Sequence, residues 1–192
     1  THPLSTDRIA YLTDVYQKDA AWDAKTPAAI DARFQRIKAK LAGFVDDPAQ
    51  TMRTYPETDQ SLPAHYARAY AWHKSAYPDK AMAETAALVK AAPHDPYFLE
   101  LQGQVLLESG KAAEAIPPLR EAVRLTNSQP LIATLLGHAL IATEDDKNYA
   151  EAENVLRAAV AKDRENPFAW YQLGVVYEHR GETARAALAT AE

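Results

Sequence analysis

Leu101-Gln102-Gly103, Leu135-Leu136-Gly137 and Gln172-Leu173-Gly174 place a glycine inside three apolar stretches with helical spacing. The first two glycines are 34 residues apart, and the second and third are 37 apart. A recurrence of about 34 residues is typical of repeats built from two antiparallel helices, each repeat stacking on the next. The spacing therefore predicts an all-α solenoid, in which each repeat contacts its neighbours rather than one central core.

The residues around these glycines resemble the tetratricopeptide repeat (TPR), in which small and large apolar residues recur in a fixed order. The matching residues are Leu106, Ala115 and Ala122 after Gly103, Leu140, Ala152 and Ala159 after Gly137, and Tyr177 and Ala186 after Gly174. The match after Gly137 requires a short insertion around Glu144–Lys147. Counting back from Gly103 gives a degenerate first repeat centred on Ala69. The resemblance implies a right-handed superhelical solenoid of about 3.5 repeats over residues 59–192, preceded by a helical linker over residues 1–58.

Helix boundaries follow from capping signals. Gly110 and Gly181 come directly after a last apolar residue, where a left-handed conformation favours glycine. Asp95-Pro96 and Asn166-Pro167 place a capping side chain before a proline at the first helical position. The predicted helix pairs are 63–76 with 79–91, 96–109 with 112–125, 130–143 with 148–162, and 167–180 with a partial partner.

The linker contains two further predicted helices. Asp7 is a plausible N-cap for a helix through about Lys18, and a longer helix opens at Thr26-Pro27 and ends at Asp46-Asp47-Pro48. Apolar residues recur along both helices at helical spacing: Ile9, Leu12, Val15 and Tyr16 in the first, and Ile30, Phe34, Ile37, Leu41 and Phe44 in the second. We expect both apolar stripes to be buried against the first repeat.

Composition limits the classes of partner. The 192 residues carry a formal net charge of −5, which disfavours a nucleic-acid partner because phosphate binding requires a concentrated basic face. No apolar run approaches the ~20 residues that a membrane-spanning helix needs. The absence of cysteine fits either a reducing or an oxidising compartment.

The N-terminal third resembles a second family. Thr1-His2-Pro3 through Arg8-Ile9 is similar to the segment that closes the catalytic domain of CAAX-protease-like zinc metalloproteases. Ala39–Phe44, Arg53–Pro56 and Ser61–Ala69 are similar to the linker and first repeat of the bacterial periplasmic members with C-terminal TPR repeats. This resemblance implies a periplasmic location, and it implies a parent protein with a zinc peptidase domain encoded before Thr1.

The catalytic motif of that family is absent from this chain. Such peptidases bind zinc through His-Glu-x-x-His, and none of the six histidines begins that motif. We expect no peptidase activity, catalytic residue, metal or cofactor in this chain, and zinc only in the parent. The resemblance places His2 near the zinc of the full-length protein. The alternative is that His2 orders the start of the first helix.

Partner binding is expected on the concave surface, which is lined by the first helix of each repeat in this family. The principal residues are Tyr66, Tyr70, His73, Tyr97, Gln104, Leu107, His138, Tyr171, Glu178 and His179, with Lys74, Glu100, Glu108, Leu131, Thr134, Ile141, Phe168 and Val175 beside them. Aromatic side chains supply large contact area with few rotamers to order, which suits a peptide or extended protein client. The lysine and asparagine that clamp a C-terminal carboxylate in co-chaperone repeats are missing from these positions.

Two functions remain open. The first is a domain that recruits substrates or partners to a periplasmic zinc metalloprotease in envelope protein quality control, with the upstream protease domain as its neighbour. The second is an independent TPR scaffold or adaptor protein without protease activity.

Overall fold

The computed structural model describes residues 5–191, and every regular element in that range is an α-helix. The helices are α1 (Ser5–Tyr16), α2 (Ala28–Val45), α3 (Pro48–Thr54), α4 (Leu62–Lys74), α5 (Pro78–Ala91), α6 (Pro96–Glu108), α7 (Ala112–Leu125), α8 (Pro130–Ile141), α9 (Asp146–Lys162), α10 (Pro167–His179) and α11 (Thr183–Ala191). The chain divides into two compact units, residues 1–37 and residues 38–192, so the second unit begins ahead of the predicted repeat domain 59–192.

The first unit contains α1 and the beginning of α2, and none of its described residues is buried. Asp7 lies within the first turn of α1, so its prediction as the N-cap is wrong. The bounds of α2 agree with the predicted second helix. The expected burial of the apolar stripe along α2 is wrong, because its members remain more than half exposed: Ile30, Phe34, Ile37, Leu41 and Phe44. Amphipathic spacing identifies a face suited to burial but does not supply the surface that buries it.

The second unit contains four helix pairs: α4 with α5, α6 with α7, α8 with α9, and α10 with α11. These are the pairs that the glycine spacing predicts. Each of α4, α6, α8 and α10 starts with a proline in its first turn, after a residue whose side chain accepts a backbone N–H. The capping residues are Ser61, Asp95, Gln129 and Asn166. The caps satisfy donors that a helix start leaves unpaired.

Glycine allows two of these pairs to cross at close range. A Cβ atom on Gly103 would lie 2.4 Å from Cγ of Leu119, and one on Gly137 would lie 2.5 Å from Cγ of Leu156. Both leucines are fully buried. At Gly174 the corresponding contact is looser, since the nearest atom is the Thr190 Cγ2 methyl at 3.0 Å. The helix pairs are therefore closest where a leucine of the second helix covers the glycine of the first.

The turns inside three of the four helix pairs, α4–α5, α6–α7 and α10–α11, repeat the same left-handed closure. Gly110 has φ of 78° and Gly181 has φ of 73°, and Ala76 takes the equivalent place in the first repeat with φ of 58°. The residue after each one donates its N–H back into the first helix: Tyr77 to Trp72, Lys111 to Leu106, and Glu182 to Tyr177.

Ala76→Gly should raise the free energy of unfolding by about 0.5–1 kcal/mol. The left-handed conformation costs an L-residue about 1–2 kcal/mol, and glycine removes this cost. Part of the stabilisation is lost because glycine has greater backbone entropy in the unfolded chain. Urea unfolding of the variant beside the parent chain measures the difference. Gly110→Ala is the reciprocal control and should destabilise, and a less stable Ala76→Gly protein would contradict this explanation.

Arg68 is an unusual buried cation in the first pair. Its side chain is 1% exposed, and Nε donates to Oε1 of Glu84 at 2.6 Å. Nη1 donates to the carbonyl oxygens of Pro56 at 2.8 Å and Asp59 at 2.7 Å. One guanidinium therefore fastens the segment before α4 to both α4 and α5.

The insertion in the third repeat lengthens one helix. α9 has 17 residues, whereas α5 and α7 each have 14. The additional turn at its beginning, near Asp146, lies beside the end of α10, as the His179 contact described below shows. Between residues 5 and 191, no helix is both long and apolar enough to cross a bilayer.

Candidate partner-binding surface

The first helices of successive repeats form one side of the second unit. α6 contacts α8, and α8 contacts α10, in addition to the contacts within each pair. Elements on the inside of a curved array lie closer together than those outside. We therefore refer to α4, α6, α8 and α10 as the inner helices and to α5, α7, α9 and α11 as the outer helices.

Four of the residues that were predicted to line the concave surface are instead buried, including Thr134 at 3% exposed. Tyr66 is 1% exposed, Tyr70 is 7% exposed and Leu107 is 8% exposed. The Tyr66 ring packs against Phe98 at a centroid distance of 5.2 Å and against Tyr70 at 5.7 Å. Leu107 belongs to the core between α6 and the following helices. These side chains pack between helices, which leaves little of their surface for a partner.

The end of α2 explains why Tyr70 is covered. Gly43 packs on α4 so closely that a Cβ atom there would lie 2.6 Å from the carbonyl oxygen of Ala67. Phe44 meets the edge of the Tyr70 ring, with centroids 6.1 Å apart. Lys74 Nζ donates to the carbonyl oxygens of Phe44 at 2.9 Å and Asp46 at 2.6 Å. The chain itself thus occupies the inner face of the first repeat. The sequence analysis expected the apolar stripe of α2 to be buried there, and of that stripe Phe44 makes this contact while remaining exposed.

A pocket of about 630 Å³ remains on this face, near the C-terminal ends of α4 and α6. Phe44 and Tyr70 form an apolar wall, and polar groups from α4 and α6 lie opposite: His73, Lys74, Gln104 and Glu108. Of the predicted contact residues, the pocket brings Tyr70, His73 and Gln104 together. Burial, with Glu100 nearby, raises the pKa of the Tyr70 hydroxyl, so the wall presents a neutral phenol.

A carboxylate joins the first two repeats at this pocket. Nε2 of His73 and Oε2 of Glu108 lie 2.6 Å apart, and Gln104 Nε2 donates to Oε1 of Glu108 at 2.9 Å. His73 and Gln104 were predicted to bind a partner, and in the structure both hold Glu108 in place. The Glu108 side chain is still 47% exposed. It is therefore an oriented carboxylate that remains accessible from solvent.

Exposed apolar side chains continue along the beginnings of the inner helices. Tyr97 on α6, Leu131 on α8 and Phe168 on α10 occupy equivalent places, 34 and 37 residues apart. Tyr171 lies one turn after Phe168. Their exposed fractions are 46%, 60%, 45% and 57% in chain order. We call these four residues the apolar row. Exposed large apolar side chains in contiguous patches mark interaction sites.

His138 joins the third and fourth repeats beside the apolar row. Its ring meets the Phe168 ring edge-on, with centroids 5.4 Å apart. Burial lowers the pKa of His138, and the Glu108 carboxylate opposes this effect. The side chain is therefore a neutral imidazole at pH 7, with little cationic character.

The far end of the inner surface contains Glu178 and His179. His179 stacks on Tyr149 at a centroid distance of 3.7 Å, and its Nε2 lies 2.9 Å from Oδ1 of Asp146. Tyr149 and Asp146 come from the longer α9, and sequence periodicity did not indicate their contribution. Glu178 is exposed and has no ion pair with any residue in the described range.

The sequence analysis placed His2 near the zinc of the parent protein and expected no metal site in this chain. His2 lies outside the described residues. No group of three or more His, Cys, Asp or Glu side chains in residues 5–191 has the arrangement of a metal site.

The stacked helix pairs define an α-solenoid repeat protein, and its inner surface is suited to binding a polypeptide. Residues 78–130 and 137–192, more than half of the chain, match the tetratricopeptide repeat family. The chain belongs to that family, whose fold typically serves protein–protein interaction and is non-catalytic.

Solved structures show the same fold. MamA from Desulfovibrio magneticus RS-1 superposes with a TM-score of 0.69 at 19% identity, covering 83% of this chain and 91% of that chain. YrrB, described as a TPR protein with an unusual peptide-binding site, superposes with a TM-score of 0.66 at 19% identity, covering 94% of this chain and 87% of that chain. No curated protein matches the sequence.

Proposed function

We propose that this chain binds a client polypeptide on its inner surface, with the apolar row as the main contact. The observation that carries the proposal is the recurrence of an exposed large apolar side chain at one place in three consecutive repeats. A repeated contact surface of this kind matches a partner that runs across several repeats.

Tyr171→Ala should weaken client binding at least tenfold while leaving the melting temperature nearly unchanged. Tyr171 is more than half exposed, so its truncation removes contact area for a partner but little packing in the chain. Peptides selected from a displayed random library on the immobilised chain serve as clients, and fluorescence anisotropy measures their affinity for each variant.

Two variants control for this experiment. Leu131→Ser removes a member of the apolar row, and Leu188→Ser removes a similarly exposed leucine on the outer helix α11. Only the first should reduce binding. Tyr70→Ala should instead lower the melting temperature, as truncation of a buried aromatic residue does. Selected peptides that bind all surface variants equally well would overturn the proposed site.

We further propose that the chain acts as the recruitment domain of a bacterial periplasmic zinc metalloprotease in envelope protein quality control. The support is the sequence resemblance of residues 1–9, 39–44, 53–56 and 61–69 to that family. On this proposal the partners are the client and the upstream protease domain, and zinc belongs to the parent. A reading frame that encodes a signal peptide and His-Glu-x-x-His before Thr1 is the expected finding, and a frame without them overturns this role.

The alternative is a TPR scaffold or adaptor protein that works without a protease. The same inner surface serves either role, because both roles require only a surface that binds a polypeptide. The client-binding experiment above applies equally to both.

A further inference from the structure

The inner helices of the last three repeats have an unusual distribution of charge. α6, α8 and α10 contain no lysine or arginine, and their charged residues are Glu100, Glu108 and Glu178. Every outer helix carries at least one basic residue, among them Lys80, Arg120, Arg157 and Arg185. Although the chain has 21 lysines and arginines, none of them lies on these three inner helices.

The cations near this surface are already held by other groups. Lys74 donates to two backbone carbonyls, and Arg180, just after α10, pairs with Glu153 and Glu182. His138 does not supply positive charge at pH 7, because burial lowers its pKa. Apart from Lys40, which lies beside Glu100, the formal charges along these inner helices are carboxylates. Glu178 and the exposed face of Glu108 are the accessible ones.

Lys40, near the end of α2, shows how this surface receives a cation. Its ammonium lies 4.0 Å from Oε2 of Glu100 and 5.8 Å from the centroid of the Tyr97 ring. A lysine side chain therefore lies between a carboxylate and an aromatic member of the apolar row. The far end offers similar chemistry, because Glu178 follows Phe168 and Tyr171 on the same face of α10.

We infer that the client segment of the proposed function is basic as well as apolar: an extended peptide with large apolar side chains on the apolar row and lysine or arginine facing Glu178 and Glu108. Packed helices lie about 8–10 Å apart, and an extended chain advances about 3.3 Å per residue. Apolar residues at every third position therefore match successive repeats. Charge complementarity adds selectivity between clients and speeds their association.

Three fluorescein-labelled peptides of equal length test this inference with the full chain: repeats of Leu-Ser-Lys, Leu-Ser-Gln and Leu-Ser-Glu. The lysine peptide should bind at least about tenfold more tightly than the glutamate peptide in dilute salt, with the glutamine peptide between them. The difference should shrink as salt screens the charges.

Glu178→Gln should weaken binding of the lysine peptide roughly threefold, as expected for the loss of an exposed charge pair. The affinity of the glutamine peptide should not change. The matched control is Glu114→Gln, because Glu114 is exposed on the outer helix α7. Equal binding of the three peptides, tighter binding of the glutamate peptide, or binding by none of them would overturn the basic-client inference. The proposed function is judged separately, by whether Tyr171→Ala weakens the library-selected peptides.

Discussion

Arg68→Met should lower the free energy of unfolding by about 3–5 kcal/mol, the cost of leaving a buried charge without its partner. The substitution keeps an unbranched apolar side chain but removes the guanidinium. Glu84 would lose its arginine and keep only the contact of Oε2 with His65 Nδ1, and the carbonyl oxygens of Pro56 and Asp59 would lose their donor. Urea unfolding followed by circular dichroism measures the loss. The segment before α4 should also become more accessible to proteases.

Arg120→Met is the matched control for this prediction. Arg120 makes two hydrogen bonds of 2.8 Å to Glu151, but its side chain is 54% exposed. An exposed ion pair contributes roughly 0–1 kcal/mol, so this variant should remain close to the parent chain. If both substitutions had the same small effect, Arg68 would not hold the first repeat together.

Gly103→Ala should lower the free energy of unfolding by roughly 2 kcal/mol, although alanine is the better helix former. The new methyl would lie 2.4 Å from Cγ of Leu119, which is fully buried and cannot move into solvent. The overlap therefore outweighs the gain of about 1 kcal/mol in helix propensity. Chemical denaturation measures the balance of the two effects.

The same substitution at Gly174 separates overlap from propensity. There the nearest atom is a methyl group of Thr190 at 3.0 Å, on a residue that is itself exposed. Gly174→Ala should leave stability unchanged or raise it by up to about 1 kcal/mol. Gly103→Ala should also cost less in a Leu119→Ala background, because the two side chains share the same space. Equal effects at both glycines would rule out the leucine contact as the cause.

The repeat architecture could be predicted because its determinants are local and recur. Glycine is required where Leu119 or Leu156 covers a first helix, so the spacing of Gly103 and Gly137 records the stacking period directly. Asp95 and Asn166 were identified as caps from the sequence and mark the starts of α6 and α10, whereas the caps Ser61 and Gln129 were found only in the structure. Capping and close packing act through neighbours in sequence, and both were therefore partly visible without the structure.

Parts of the candidate site could not be predicted, because they depend on contacts from outside the repeats. The apolar stripe that ends at Phe44 suggested packing against the first repeat, but it did not show that Gly43 and Phe44 would cover Tyr70, a residue expected to face a partner. The roles of Tyr149 and Asp146 follow from the longer α9, whose extra turn lies beside His179. Periodicity assigns a residue to the inner face, but it does not show whether another part of the chain already covers that face.

Contacts in residues 38–191 run mainly between helices that are adjacent or next but one along the chain. Side-chain contacts that join one repeat to the next span similarly short distances in sequence, 35 residues for His73 and Glu108 and 31 for Arg120 and Glu151. Such a chain has no need to bring its two ends together before native contacts form, which favours rapid folding. Ribosomes add about 5–20 residues per second. The helix pair α4–α5 can therefore dock on α6 and α7 as they emerge, while the last repeats are still being synthesised.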